Sequence, residues 1–125
     1  MSQTVNKTME QPNPSGQGQS ANYYSVVIDA NATPARSSNS GITAQRDGTG
    51  VCNVAFPRNV DEWAWFVSLG ATDQTNQTPG CATTDLGDMN NRVVQVRTFD
   101  IAANGATTAA NRPFHLYVQE LKSND

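Results

Sequence analysis

The chain has 125 residues, of which 37% are hydrophobic and only 15% are charged, and its formal net charge at pH 7 is −3. This length suffices for one domain around one hydrophobic core. Because the charge balance is slightly acidic, we expect no broad basic surface, which excludes nucleic-acid binding through phosphate contacts. No run of about eighteen apolar residues occurs, so no membrane-spanning helix is predicted.

Residues 1–21 are predicted to form an extended N-terminal arm that is separate from the folded domain. They carry few apolar side chains, and Pro and Gly recur through residues 12–18, where they would interrupt a helix or a strand. The arm is either a free tail or a segment that lies on a neighbouring subunit, with Val5 and Met9 as anchors, and we expect the second. Because the first residues lack the apolar stretch of a signal peptide, we expect synthesis in a cytoplasm.

Alternation of apolar and polar residues begins at Tyr23 and predicts the first strand, which has Tyr24, Val26 and Ile28 on its buried face. A turn-rich stretch follows at residues 31–38. The next two strands are predicted at residues 42–46 and 51–56. Asp47-Gly48 marks the turn between them, because Gly accepts the positive φ angle that tight hairpin turns require. In the later strand the side chains expected to face the core are Cys52, Val54 and Phe56.

Residues 63–69 give the strongest strand signal of the chain, because they are apolar on both faces. Trp63, Trp65, Val67 and Leu69 share one face, and Ala64, Phe66 and Ser68 share the other. A strand with two apolar faces is expected either in the centre of a sheet or beneath another subunit.

The second half of the chain is predicted to begin with a surface excursion over residues 71–91, with one short strand around residues 81–84. Alternation resumes at residues 92–99, a turn region covers residues 100–111, and the last strand is residues 114–118. Six or seven short strands without a helix indicate an all-β fold, a small antiparallel, jelly-roll-like β-sandwich. We place the sandwich at residues 22–121 and a C-terminal tail at residues 122–125. The expected core comprises Val54, Phe56, Trp65, Val67, Val94, Val96, Phe114 and Leu116.

No catalytic, cofactor or metal site is predicted. His115 is expected to be hydrogen-bonded within a sheet or a subunit interface, because no Ser-His-Asp order or other nucleophile motif accompanies it. Cys52 and Cys81 are expected to be buried free thiols, which with one His do not make a zinc site. The acidic loop at residues 85–90 lacks the ligand spacing of a known calcium loop and is interpreted as a solvated turn. Trp63 and Trp65 are interpreted as core or interface anchors, and stacking on a glycan is the alternative.

Four blocks of the sequence form a recognisable pattern. They are residues 26–36, 50–60, 64–70 and the pair 94–100 with 112–116, of which the last carries Arg-Pro-Phe-His-Leu. These blocks resemble a β-domain found at the ends of bacterial surface and collagen-like proteins and in phage structural proteins. The resemblance covers about residues 23 to 118 and implies a trimer-forming module without enzymatic activity. Cys52 and Trp63 depart from the pattern. Asn59 and Asn111 stand where the pattern has Asp, so the resemblance does not imply that an Arg–Asp pair fixes the turns next to Arg58 and Arg112.

These features predict a non-enzymatic structural protein of a virion, specifically a phage capsid decoration protein. It would form a homotrimer and bind the major capsid protein or other virion subunits through its N-terminal arm. The alternatives are a receptor- or glycan-binding tip of a phage tail fibre and a subunit of a bacterial surface fibre, which would place the chain on an extracellular surface. The residues predicted to serve interfaces or the fold are Val5, Met9, Trp63, Trp65, Phe66, Arg112, Phe114, His115 and Tyr117.

Overall fold

The computed structural model describes residues 22–87 and 90–121, and these residues form nine β-strands. Neither a helix nor any segment suited to crossing a membrane as a helix occurs within those two ranges. Val5 and Met9 lie outside the described residues, as do the rest of the predicted arm and the tail. The strands are β1 (Tyr23–Ile28), β2 (Pro34–Ser37), β3 (Thr43–Arg46), β4 (Val51–Ala55), β5 (Ala64–Leu69), β6 (Gly80–Leu86), β7 (Val93–Ile101), β8 (Thr107–Ala109) and β9 (Phe114–Gln119).

The strands form two antiparallel sheets, which confirms the predicted all-β sandwich. Sheet 1 has the order β2-β1-β9-β5, and sheet 2 has the order β3-β4-β7-β6, with β8 pairing with the end of β7. Every strand pair is antiparallel. The first and last strands of the sandwich are therefore neighbours in the middle of sheet 1, although they are far apart in sequence.

The core lies between the two sheets and is built from alternate residues of the long strands, as the period-two pattern predicted. Each fully buried branched or aromatic side chain contributes about 1.5–3 kcal/mol. The predicted core residues of β4, β7 and β9 are fully buried, whereas Trp65 and Val67 of β5 are only half-buried. The buried apolar residues are Val26, Ile28, Ala32, Ile42, Cys52, Val54, Phe56, Val60, Val94, Val96, Phe114, Leu116 and Val118.

The hairpin between β3 and β4 confirms the turn that Asp47-Gly48 predicted. The N–H of Asp47 donates to the carbonyl of Val51 at 2.9 Å, and the N–H of Val51 donates to the carbonyl of Gly48 at 3.1 Å. Gly48 and Gly50 adopt φ angles of 118° and 72°, which lie in the region that favours glycine.

β5 was expected either in the centre of a sheet or beneath another subunit, and the first of these expectations is wrong. It is an edge strand of sheet 1 and not a central one, because its only neighbour among the described strands is β9. Its two apolar faces have different surroundings. Trp65, Val67 and Leu69 pack against the core, whereas Phe66 on the other face is 57% exposed. Covering of this face by another subunit stays a prediction.

The sequence also underestimated the number of strands. β2 lies in the stretch predicted as turns, and β8 lies in the turn region before the last strand. Both strands are short and polar, so their sequences show no alternation of apolar and polar residues. They are recognised as strands only because they hydrogen-bond to a neighbouring strand. β6 extends over seven residues, because the whole segment from Gly80 to Leu86 pairs with β7. Among the described residues of the predicted excursion, only residues 71–79, 87 and 90–91 thus lie outside a strand.

Candidate functional site

The outer face of sheet 1 is the candidate functional site. Because side chains alternate along each strand, every second residue of β1, β9 and β5 points away from the core. The register places Tyr117 between Ser25 and Phe66, and it places His115 between Val27 and Ser68. Three strands separated by up to about ninety residues in sequence thus present one continuous surface.

An aromatic patch, defined here as Tyr23, Phe66 and Tyr117, occupies part of this face. Tyr23 is 54% exposed and Phe66 is 57% exposed, although both are large apolar side chains. The ring of Tyr117 lies between them, with its centroid 5.5 Å from that of Tyr23 and 6.1 Å from that of Phe66. Such tilted ring pairs stabilise one another, so the patch is a preformed apolar surface.

A shallow groove of about 620 Å³ runs across the same face, from the β2 hairpin to Phe66 and Tyr117 of the aromatic patch. Its polar end contains Arg36 and His115, together with Ser68. No Asp, Glu or Cys belongs to its lining, in which four serines supply hydroxyl groups. The lining residues are Ser25, Val26, Val27, Arg36, Ser37, Ser38, Phe66, Val67, Ser68, His115, Leu116 and Tyr117.

Arg36 and His115 contact the start of the loop at residues 70–79, which connects the two sheets. Nη1 of Arg36 donates to the carbonyl oxygen of Thr72 at 2.9 Å, and Nε2 of His115 lies 3.1 Å from the carbonyl oxygen of Ala71. His115 is exposed at the surface and hydrogen-bonded to the backbone. Its partner is a carbonyl of the loop and not a group within the sheet, and a role of His115 in a subunit interface stays a prediction.

Arg112 holds the other end of the same loop. Only 7% exposed, it donates from Nη2 to the carbonyl of Thr78 at 2.6 Å and from Nη1 to that of Pro79 at 3.3 Å. Nη1 also forms a 2.8 Å ion pair with Asp100. An Arg–Asp pair is therefore present, although its acid lies at position 100 and not at position 111. Asn111 instead accepts a hydrogen bond from the N–H of Gly50 at 2.7 Å.

The two tryptophans are used within the fold and lie apart from the aromatic patch. Nε1 of Trp65 donates to the carbonyl of Val60 at 2.8 Å, and the ring of Trp63 stacks on Tyr24 with a centroid distance of 5.6 Å. Arg58 lies with its guanidinium carbon 5.3 Å from the centre of the Trp63 ring. These contacts hold both tryptophans against the sandwich, and a role of either residue in an interface stays a prediction.

The two thiols are free, as expected, but their surroundings differ. Cys52 is buried in the core, and burial raises the pKa of its thiol above the ordinary value of 9.0, although the positive charge of Arg46 opposes the shift. Cys81 is only half-buried, so the expectation of burial is wrong for this residue. A raised pKa keeps Cys52 protonated near neutral pH, which makes it a poor nucleophile.

The structure brings three of the predicted site residues, Phe66, His115 and Tyr117, together on one face. Phe114 is in the core, and Trp63, Trp65 and Arg112 stabilise the ends and loops of the sandwich. Within residues 22–87 and 90–121, no group of three His, Cys, Asp or Glu side chains is arranged to bind a metal ion.

Tyr23 and Arg36 belong to this face and were not predicted. Tyr23 precedes Ser25 and Val27 by even steps, so the strand period already placed it on the outer face. Arg36 lies in β2, which the sequence pattern did not reveal. Comparison with protein families, with curated proteins and with solved structures gives no match to this chain.

Proposed function

We propose that this chain is a non-enzymatic structural protein that self-associates through the outer face of sheet 1. The observation that carries the proposal is the aromatic patch of Tyr23, Phe66 and Tyr117. Aromatic residues are enriched at protein interfaces, where they bury a large area at a low cost in conformational entropy. A group of three rings of which two, Tyr23 and Phe66, are exposed is best explained by a partner that covers it.

The opposite face of the sandwich supports the choice of sheet 1. In the middle of the outer face of sheet 2 the outward residues are polar and hydrogen-bonded to one another, whereas Val93 and Phe99 toward its two ends are apolar and half-buried. Gln95 donates to Asn53 at 3.0 Å, and Arg97 donates to Gln95 at 2.7 Å. A surface whose polar groups are already satisfied and hydrated gains little from burial. The middle of the outer face of sheet 2 is therefore less suited to association than the aromatic patch on sheet 1.

The particular role that we propose is that of a phage capsid decoration protein, which forms a homotrimer on the shell. The low proportion of charged residues, 15%, suits close lateral packing of identical subunits. The polar, Pro- and Gly-containing arm suits docking onto neighbouring virion subunits, because such a segment orders only when it meets a preformed surface. The resemblance in residues 23–118 to trimer-forming β-domains points in the same direction.

Self-association is tested with the Phe66→Asp variant and light scattering at micromolar concentration. We expect the wild-type chain to form a particle of three subunits. The variant should associate at least about thirtyfold more weakly, because loss of a central aromatic anchor costs about 2 kcal/mol or more. The control is Thr83→Asp, which adds the same charge at an exposed position of β6 in sheet 2. A wild-type monomer, or equal association of both variants, would contradict the proposal.

The virion role needs a second experiment. Deletion of residues 2–20 should abolish binding to undecorated capsid shells, whereas the Thr83→Asp chain should bind normally. Binding that survives the deletion would count against the docking function of the arm.

The groove beside the aromatic patch favours one other candidate, a glycan-binding fibre tip. Its polar end combines a cation with several hydroxyl groups and lacks an acid, and the rings of Phe66 and Tyr117 flank it. This arrangement suits an acidic sugar. Titration of the wild-type chain with glucuronate, followed by the NMR signals of His115 and Ser68, separates the two candidates. Saturable shifts from an assembled particle whose outer face remains open would favour the fibre tip.

A further inference from the structure

The turn between β7 and β8 contains the only Asn-Gly pair of the sequence, Asn104-Gly105. The backbone nitrogen of the residue that follows an asparagine can attack the side-chain amide carbon of that asparagine and close a cyclic imide. Glycine favours this reaction, because it has no Cβ to obstruct the approach of its nitrogen. The asparagine that the sequence makes most reactive thus lies at the tip of a hairpin.

The surroundings of this pair leave it open to water. Residues 102–109 are all exposed, and they include the whole of β8. A Cβ atom at Gly105 would meet nothing within 4 Å. Water, which the reaction consumes, therefore reaches Asn104, and ammonia, which the reaction releases, leaves without any rearrangement of the core.

Two hydrogen bonds act on the reacting atoms in opposite directions. The N–H of Ala106 donates to Oδ1 of Asn104 at 3.0 Å, which polarises the side-chain carbonyl and makes its carbon more electrophilic. The N–H of Gly105 donates to the carbonyl of Ala102 at 2.8 Å, which occupies the attacking nitrogen. The second of these bonds must open before the imide can form.

Opening of this turn requires little free energy. β8 has three residues, all of them exposed, and its partner among the described strands is the end of β7. Segments without buried apolar side chains open locally at a small free-energy cost compared with the core of the same protein. The hydrogen bond of Gly105 therefore delays the reaction only slightly.

Asn39 provides an internal reference with the same side-chain contact. Its Oδ1 accepts the N–H of Gly41 at 2.7 Å, again from the backbone two residues later, and residues 39–41 are exposed. The residue that follows Asn39 is Ser40, whose Cβ obstructs the attacking nitrogen. The two asparagines thus share exposure and hydrogen bonding and differ in the residue that supplies the nitrogen.

We propose that Asn104 is a site of spontaneous deamidation in the folded chain. The nitrogen of Gly105 loses its proton to solvent and bonds to Cγ of Asn104, while the bond from Cγ to Nδ2 breaks and Nδ2 takes up a proton and leaves as ammonia. Water then opens the imide. Cleavage at Cγ gives aspartate, and cleavage at the main-chain carbonyl carbon gives isoaspartate. The net change consumes water and releases ammonia, without oxidation or reduction.

The products change the charge and the backbone of the hairpin. Either product adds a negative charge to a chain whose net charge is −3. Isoaspartate also lengthens the main chain of the turn, because the chain then runs through Cγ. The turn belongs to sheet 2, whereas the aromatic patch lies on sheet 1, so the inference is independent of the proposed self-association. Any assembly of the chain would accumulate negative charge as it ages.

The experiment follows the reaction in the full-length, folded protein. The protein is incubated at mildly alkaline pH in water enriched in heavy oxygen, which marks each asparagine that deamidates during the incubation, and its peptides are analysed by mass spectrometry. Asn104 should react at least about tenfold faster than Asn39, and at least about tenfold faster than in the Gly105→Ala variant, because a Cβ obstructs the attacking nitrogen. Circular dichroism verifies that the variant keeps the β fold.

A second comparison tests the effect of the fold on the reaction. In the chain unfolded with guanidinium chloride, Asn104 should react no more than about tenfold faster than in the folded chain, because the turn opens at little cost. A folded-state rate at Asn104 that does not exceed the rate at Asn39 would overturn the inference. Conversion in the unfolded chain alone would also overturn it, as would an equal rate in the wild type and the folded Gly105→Ala variant.

Discussion

Arg112 illustrates how a single side chain can determine the course of a loop. Its guanidinium group is buried and contacts two backbone carbonyls and the carboxylate of Asp100. Arginine suits this position because its planar group carries five donors and keeps its charge when it is buried. A lysine would present one small ammonium group and could not reach all three acceptors in the same geometry.

The Arg112→Ala variant should lower the free energy of unfolding by about 3 kcal/mol, as measured by urea denaturation. The loss combines the charge-assisted hydrogen bonds that Arg112 makes with the packing of its buried side chain. Arg97→Ala, which removes an exposed arginine of β7, should cost less than about 0.5 kcal/mol. Asp100→Asn should cost less than Arg112→Ala, because the amide oxygen still accepts a hydrogen bond. An equally large loss for both arginine variants would contradict the role given to Arg112.

Cys52 should make stability fall at alkaline pH. Burial raises the pKa of its thiol in the folded chain, so the folded state holds the proton more tightly than the unfolded state does. The corresponding stabilisation is complete below the ordinary pKa of 9.0 and is lost as the pH rises through the folded-state pKa. The free energy of unfolding should thus decrease less steeply above this pH in a Cys52→Val variant than in the wild type. An unchanged slope in the Cys52→Val variant would contradict this prediction.

At the scale of elements, the β3–β4 hairpin depends on a close contact at Gly50. The N–H of Gly50 donates to Asn111 and its carbonyl accepts from the N–H of Thr98, so the backbone is bound on both sides. A Cβ atom at this position would lie 2.7 Å from the carbonyl oxygen of Thr98 and 2.9 Å from the nitrogen of Ala110. The turn therefore docks against β7 and the segment before β9 without room for a side chain.

A comparison of Gly50→Ala with Gly105→Ala separates lack of space from backbone conformation. Both glycines have a positive φ, 72° and 87°, but a Cβ at Gly105 meets nothing within 4 Å. Gly105→Ala should cost about 1–2 kcal/mol, the ordinary conformational penalty. Gly50→Ala should cost about 2 kcal/mol more, because backbone atoms would have to move. Thermal or urea unfolding measures both, and equal losses would show that the close contact is unimportant.

Strand prediction succeeded where a strand buries one face and failed where pairing alone defines the element. β1, β4, β7 and β9 alternate between buried and partly exposed positions, so their pattern was visible in the sequence. The position of β5 at the edge was not visible. It depends on pairing with β9, whose residues lie about fifty positions later, and two-sided hydrophobicity suits a central strand and a covered edge equally well.

At the scale of the whole molecule, composition and strand spacing were sufficient to predict the fold class. The candidate site could not be predicted without knowing which residues of neighbouring strands pair with one another. Phe66, His115 and Tyr117 could each be singled out in the sequence. Their assembly with Tyr23 and Arg36 on one face follows from how β1, β2, β5 and β9 pair. Pairings between distant segments are set by the packing of the complete core, which local patterns do not encode.

The loop at residues 70–79 is held at both ends through its backbone. Arg36, His115 and Arg112 all contact backbone carbonyl oxygens of the loop, at Ala71, Thr72, Thr78 and Pro79, and none of these contacts involves a side chain of the loop. The exposed residues between the two anchored ends can therefore be exchanged for a foreign peptide without removing a single anchoring group. This scaffold thus offers a natural position for the display of grafted epitopes, repeated once per subunit in any assembly that the chain forms.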